Sequence, residues 1–309
     1  MKKNIHKLTA PIKIRNDFFT YETIAIFFDK IQKLSNVLGE NVVHFDYSET
    51  IQIDGNMVVF LDMIKRYHFE KLGQSTFSGF NDEIKNLLCR NRYLNNSPEK
   101  LVSEEEILQD RKKTTVQFAR HEIKRIEKEE EEKTTEKFCD YMLTEVISHY
   151  RFDGVSEIIK NKILECTTEL CANVIQHTNS SFISTCGQFF PVSRKFIFSM
   201  SNLGETFYDN INSFIKKNDD IDCIKWALKN SHTTKTTSGG LGLYTLFRFM
   251  HKIEGKIQII SGKGFYEAAF YSKNGDIKKR EVMKNLTYKI PGTIITIIID
   301  LKKKIHYYY

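Results

Sequence analysis

The sequence predicts an α/β fold: two α/β units flanking a charged helical connector. Three observations predict it. Strand-like and helix-like segments alternate from Ile12 to about Leu94. A strongly charged run, poor in apolar residues, extends from Ser103 to Lys137. From Val155 onward an amphipathic helix precedes several β-rich runs. With 309 residues the chain is long enough for two ordinary domains. The expected boundaries are 1–100, 101–150 and 151–309.

In the first unit, Asn41 to Tyr47 (NVVHFDY) is a β-rich run ending in turn residues. Ile51-Gln52-Ile53-Asp54-Gly55 follows, and from Met57 to Tyr67 the apolar Val58, Leu61 and Ile64 recur at helical spacing. Ser75 to Phe80 reads as another strand and Asp82 to Leu88 as an amphipathic helix, an order that implies a small domain with a mostly open sheet. Ser97-Pro98 breaks this pattern. Ser103-Glu104-Glu105-Glu106 then has the acidic residues of a helix start, and the charge continues through Glu127 to Glu132. A long solvated connecting helix is expected there; a charged linker with no binding role fits the same residues. In the second unit Val155, Ile159, Ile163, Leu170 and Val174 share one helix face. Lys195 to Met200, Lys256 to Ser261, Glu267 to Tyr271 and Thr293 to Ile299 read as mainly antiparallel strands, so an α/β sandwich is expected.

Composition narrows the function classes. An apolar fraction of 41% with 28% charged residues is that of a soluble globular protein. The longest apolar runs, around Ile24 to Phe28 and Ile294 to Ile299, fall far short of a membrane span. Met1-Lys2-Lys3 is followed by no apolar stretch, so no secretory signal is expected. The six cysteines show no Cys-x-x-Cys pair, which points to a reduced cytoplasmic protein. The net charge is +7, but lysines interleave with glutamates and no basic stripe stands out, so nucleic acid is not the expected partner. No repeat occurs at a solenoid period.

Three segments carry chemistry. In Glu169-Leu-Cys-Ala-Asn173-Val-Ile-Gln-His177, residues four apart advance about 40° around a helix, so Glu169, Asn173 and His177 form one polar stripe. An Asn amide oxygen suits Mg²⁺, a Glu can activate water or a hydroxyl, and a His can contact phosphate. By itself the stripe is equally a solvated helix face. In Lys195-Phe-Ile-Phe-Ser-Met-Ser-Asn202-Leu-Gly204-Glu205 a β run ends in a turn, where Asn202 offers an amide and Gly204 permits close backbone approach. Asn and Gly favour ordinary turns as well. In Ser231-His-Thr-Thr-Lys235-Thr-Thr-Ser238-Gly239-Gly240-Leu241-Gly242-Leu243 a polar, glycine-rich loop runs into a helix over Leu243 to Met250. Such a junction suits phosphate, with Lys235 in reach of a terminal phosphate. It is neither a P-loop, lacking Gly-Lys-Ser/Thr, nor a Rossmann turn, since no strand leads into it.

These segments, in this order and ahead of Pro291-Gly292-Thr293-Ile-Ile-Thr-Ile, resemble ATPases of the histidine-kinase, gyrase and heat-shock-chaperone (GHKL) superfamily, in the anti-sigma-factor kinase form. Glu169-x-x-x-Asn173-x-x-x-His177 is similar to the N box, Asn202-x-Gly204 to the adenine-reading box, Gly240-Leu241-Gly242-Leu243 to the lid box, and Gly292-Thr293 to the closing strand. The resemblance spans roughly Val155 to Leu301 and implies a Bergerat-type sandwich that binds ATP with Mg²⁺. It implies Asn173 as the Mg²⁺ ligand and Glu169 as the general base. His177, Asn202, Gly204, Lys235, Ser238 to Leu243 and Thr293 are then the residues around the nucleotide. Two positions depart from the pattern: Asn202 stands where Asp is usual, and Thr206 where a second Gly is usual. Asn can still accept from adenine, but it also donates.

Residues Ile12 to Leu94, with Asn41-Val-Val-His-Phe-Asp-Tyr-Ser and Ile53-Asp54-Gly55-Asn56-Met57, resemble a STAS domain of the anti-sigma-antagonist type. Gly55 and Asn56 occupy the places where that family carries a phosphorylatable Ser, so self-phosphorylation there is not expected. Together the two resemblances imply an Mg·ATP-binding signalling protein that acts on a protein partner, such as a STAS-domain or other regulatory protein, as an ATPase or Ser/Thr kinase. A non-catalytic, ATP-gated interaction switch is the alternative, and a homodimer is compatible with either. His121 lies in the connector as an ordinary solvated side chain, which does not suggest a phosphoacceptor.

Overall fold

The computed structural model describes residues 4–37, 41–73, 75–95, 110, 113–124, 128–229 and 242–301. Its N-terminal part carries a three-stranded parallel sheet in the order β1 (Asn4–Thr9), β3 (Asn41–Asp46), β5 (Ser75–Ser78). A short parallel pair, β2 (Lys13–Ile14) with β4 (Gln52–Ile53), lies beyond it. Parallel strands need crossover connections, and α1 (Phe18–Ser35) and α2 (Val58–Leu72) provide them. Asp17 caps α1 by accepting from Thr20 N at 2.9 Å. The Ile24 to Phe28 run lies inside this helix. The expected strands at 41–47 and 75–80 and helices at 57–67 and 82–88 are present, the last as α3 (Asp82–Arg90).

The C-terminal part holds a five-stranded antiparallel sheet in the order β6 (Thr115–Glu122), β7 (Phe182–Phe190), β8 (Lys195–Leu203), β10 (Asp276–Asp300), β9 (Lys256–Lys273). The amphipathic helix is α5 (Glu157–His177), and the helix after the glycine-rich loop is α8 (Gly242–Lys252). Both pack on one face of this sheet through Ile163, Leu170, Leu246 and Phe249 against Ile257 and Ile297. The other face is covered by α1 and α2: Tyr21 stacks on Phe60 at 5.2 Å and meets Phe265 of β9 at 5.6 Å, within a core that also holds Leu203 and Ile294. Leu8, Val43 and Phe45 of the small sheet join the same core. The layers therefore run small sheet, α1 and α2, large sheet, α5 and α8. Caught between two sheets, α2 is buried on every side from Val58 to Lys65, Asp62 included, and only its last turn, from Phe69, reaches solvent.

The connector differs from expectation. Residues 115–122 are not helical; they form β6, an edge strand of the large sheet paired with β7. The helix α4 begins only at Lys128 and ends at Tyr141, continuing as a π-helical turn to Ile147. The reason lies in Val116 and Phe118, which are buried in the cores on opposite sides of the sheet, with a register shift between Val116 and Ala119. That irregularity and the charged neighbours hid the period of two. Arg120 is not a solvated charge, because it pairs with buried Asp62 of α2. Nor is His121, which packs against Phe138 and Tyr141 with ring centroids 5.1 Å away in each case. The C-terminal sheet thus begins well before residue 151. Among the described residues no helix is long and apolar enough to cross a membrane.

Two buried histidines predict acid sensitivity. Neither ring nitrogen of His68 has a hydrogen-bond partner among the described residues, and burial pushes its pKa down from 6.5 to about 4. Burial does the same to His121, also to about 4. Between pH 6.5 and 4 the unfolded chain binds protons on these rings that the folded chain refuses. Stability should therefore hold above this window and fall through it, by about 3 kcal/mol for each ring. Urea titrations on either side of the window measure the loss, and His68→Phe should remove roughly half of it. Equal stability at both ends would mean that the rings protonate within the fold.

Candidate functional site

The helix α5 is long because its apolar face, from Ile159 through Ile163, Cys166 and Leu170 to Ile175, lies buried on the sheet. Its opposite stripe carries Glu169, which is exposed, and Asn173 and His177, which are half-buried. Alongside this stripe, the ends of β8 and β10, the start of α8 and two short helices, α6 (Phe207–Ile211) and α7 (Asp220–Ala227), enclose a cleft. Its enclosed volume is about 120 Å³, and it opens to solvent on one side.

Five of the sequence-predicted residues line this cleft: Asn173, His177, Asn202, Leu243 and Thr293. Glu169 adjoins it beside Gly242, where an added Cβ would lie 2.9 Å from Glu169 Cβ and 3.1 Å from Asn173 Nδ2. Only glycine lets the start of α8 come this close to α5. Lys235, Ser238, Gly239, Gly240 and Leu241 lie outside the described residues. Gly204 is not in the cleft wall; its φ of 118° and the nearness of Ser180 N, 3.3 Å from an added Cβ, account for it through the turn.

The strands set the floor. Asn202 and Thr293 are direct partners across β8 and β10. Met200, Asn202, Thr293 and Ile295 face the cleft, whereas Ser199, Ser201, Ile294 and Thr296 face α1 and α2. Asn202 is only 2% exposed, and its Nδ2 donates to Leu203 O at 3.3 Å. Its Oδ1 accepts from no described residue, and so is left as an acceptor toward the cleft. The side chain of Asn173 likewise makes no hydrogen bond to a described residue. Thr293 behaves otherwise: its hydroxyl bonds Ser261 Oγ at 2.8 Å, and Ser261 Oγ accepts from Phe207 N at 2.9 Å. Thr293 thereby anchors the start of α6 as well as lining the site.

Thr206, which departs from the expected glycine, is the N-cap of α6. Its hydroxyl and backbone N–H both meet Asp209 in a capping box, and Lys289 braces Asp209 at 3.0 Å. The cap fixes Phe207 in the cleft wall. Phe207 and Trp226 escape the sequence reading, because short helices after a turn leave little periodicity to read. Trp226, the single tryptophan of the chain, was the one available signal. Glu205 closes the rim by accepting from Asn179 N at 2.5 Å and from its side chain. Among the described residues no three His, Cys, Asp or Glu side chains gather as a metal cage.

Gly292 yields a test of this floor. Its φ is 146°, and a Cβ there would stand 2.0 Å from Asn202 O, a backbone atom that cannot yield without parting β8 from β10. Gly292→Ala should cost about 1–3 kcal/mol of stability and change the emission of Trp226. An unshifted urea midpoint would mean that the strands absorb the methyl group. No protein-family model matches the sequence, and no curated protein matches it significantly.

Proposed function

We propose that this chain binds Mg·ATP in the cleft beside α5 and serves as a signalling or regulatory protein, an ATPase or Ser/Thr kinase acting on a protein partner. The observation that carries this reading is convergence. Asn173, Asn202, Thr293 and the start of α8 come from four separate segments, yet meet around one cleft. The reading includes the finer folds: a Bergerat-type sandwich for the C-terminal part and a STAS-like arrangement for the N-terminal part. Within it, Asn202 Oδ1 accepts from the adenine amine while Phe207 and Trp226 supply apolar walls. The free amide of Asn173 suits Mg²⁺, which needs few protein ligands because phosphate oxygens and water complete its shell. Bound Mg²⁺ would supply charge neutralisation at the phosphates. The start of α8 brings first-turn N–H groups and a favourable partial charge to this side of the cleft. Glu169 is the candidate base.

The alternative, an ATP-gated switch without turnover, draws support from Glu169 itself. Its carboxylate is exposed and hydrogen-bonds to no described residue, so nothing described orients it toward a reacting group. Calorimetric titration of ATP with Mg²⁺, with ADP release followed in parallel, separates the readings. Binding with ADP release or transfer to a partner supports the enzyme. Binding without either supports the switch, and absence of binding removes both.

A further inference from the structure

The sheet that floors the cleft is one strand thick, and its reverse side is held by the N-terminal part through polar groups as well as apolar ones. We infer that the N-terminal part regulates the cleft, with α2 and the tight turn that leads into it, Gly55–Met57, as the unit that must stay docked for nucleotide to bind. This rests on the nucleotide reading of the cleft. Ser199 alternates with cleft-facing Met200 on β8, and Thr296 with cleft-facing Ile295 on β10. On the reverse side Asn56 Nδ2 donates to Ser199 Oγ at 2.8 Å, and Ser199 Oγ bonds Thr296 Oγ1 at 2.7 Å. Asn56 and Asn16 also exchange amide hydrogen bonds at 2.8 and 3.0 Å. Gly55 N donates to Gln188 of β7 at 2.5 Å, and Ser184 of β7 donates to Asp62 at 2.5 Å.

Asn56, Asp62, Ser184, Ser199 and Thr296 are all fully buried. A small displacement of this turn and α2 would strand several of these groups without partners and without water, so intermediate positions are disfavoured. The contact is therefore held or released as a unit, and release frees β8 and β10 on the very strands that carry Asn202 and Thr293. Linkage makes the effect reciprocal: nucleotide in the cleft must favour the docked α2 by the factor that docking favours nucleotide.

The test uses the full chain with Ser199→Ala and Asn56→Asp, neither residue being in the cleft wall. Trp226 emission reports the cleft without nucleotide, and calorimetry reports the Kd for ATP with Mg²⁺. Expected are a shifted emission in both variants and a Kd raised about fivefold or more, with α2 amides exchanging more slowly in wild type when ATP is added. Ser199→Ala deletes a single hydroxyl and keeps the test valid should Asn56→Asp fail to fold. Unchanged emission together with a Kd within about twofold of wild type would overturn the inference. If wild type binds no ATP, the nucleotide reading fails, and Trp226 emission alone decides whether the two faces are coupled.

Discussion

Asn173→Ala is expected to abolish Mg-dependent ATP binding while leaving the unfolding midpoint in place. The two halves of that outcome have separate causes. Asn173 sits on the polar stripe of α5, half-buried and bonded to no described residue, so truncation breaks no contact of the fold. Alanine is also the better helix former, which removes any local cost. The affinity loss should reach about 100-fold, at least the upper end of what losing an outer-shell partner of a metal costs. Without Mg²⁺, variant and wild type should bind ATP alike, which distinguishes a lost metal ligand from a damaged pocket. Unchanged affinity in the presence of Mg²⁺ would defeat the assignment of Asn173.

Asp62→Ala is expected to be the most destabilising single change in the N-terminal part, at about 3–5 kcal/mol. Asp62 is wholly buried on α2 and bonds Arg120 of β6, with Nε to Oδ2 at 3.2 Å, as well as Ser184 Oγ of β7. Removing the carboxylate strands a guanidinium whose side chain is only 12% exposed. Most of the loss is thus the cost of an unpaired buried charge, and an apolar replacement of both partners should recover much of it. Asp62→Leu with Arg120→Met, compared with each single change by urea denaturation, isolates that term. Additive single effects would mean that the two side chains are not coupled.

Regular periods made much of this molecule legible. The α5 stripe was readable because Glu169, Asn173 and His177 repeat at four residues against an apolar face. The strand β8 and the last part of β10 were readable from β-branched and aromatic runs ending at Asn202 and following Pro291-Gly292, whereas the charged first part of β10, from Asp276, was not. What stayed hidden depended on contacts distant in sequence. The charges of Arg120 and His121 disguised β6, since nothing local says that Asp62 will neutralise one and aromatic rings enclose the other. Ser199, Ser201 and Thr296 resemble the wet side of a half-buried sheet, yet α2 covers them. The walls at Phe207 and Trp226 come from short helices fixed by a cap and a loop, where periodicity has no length over which to build.

The placement of α1 and α2 between two sheets has a consequence for how the molecule is made. Tyr21 bonds Gln258 across 237 positions, and Thr287 N reaches Glu22 across 265, so the first helices find their cover in the last strands. On the ribosome α2 is complete by Leu72, but β10 is finished only at Asp300. At ordinary synthesis rates the interval is roughly 10–45 s. Throughout it, the faces of α1 and α2 that the large sheet covers, Tyr21 and Phe60 among them, have no partner, and closing such long loops is slow. The nascent N-terminal half therefore carries exposed apolar surface until the last strands are made.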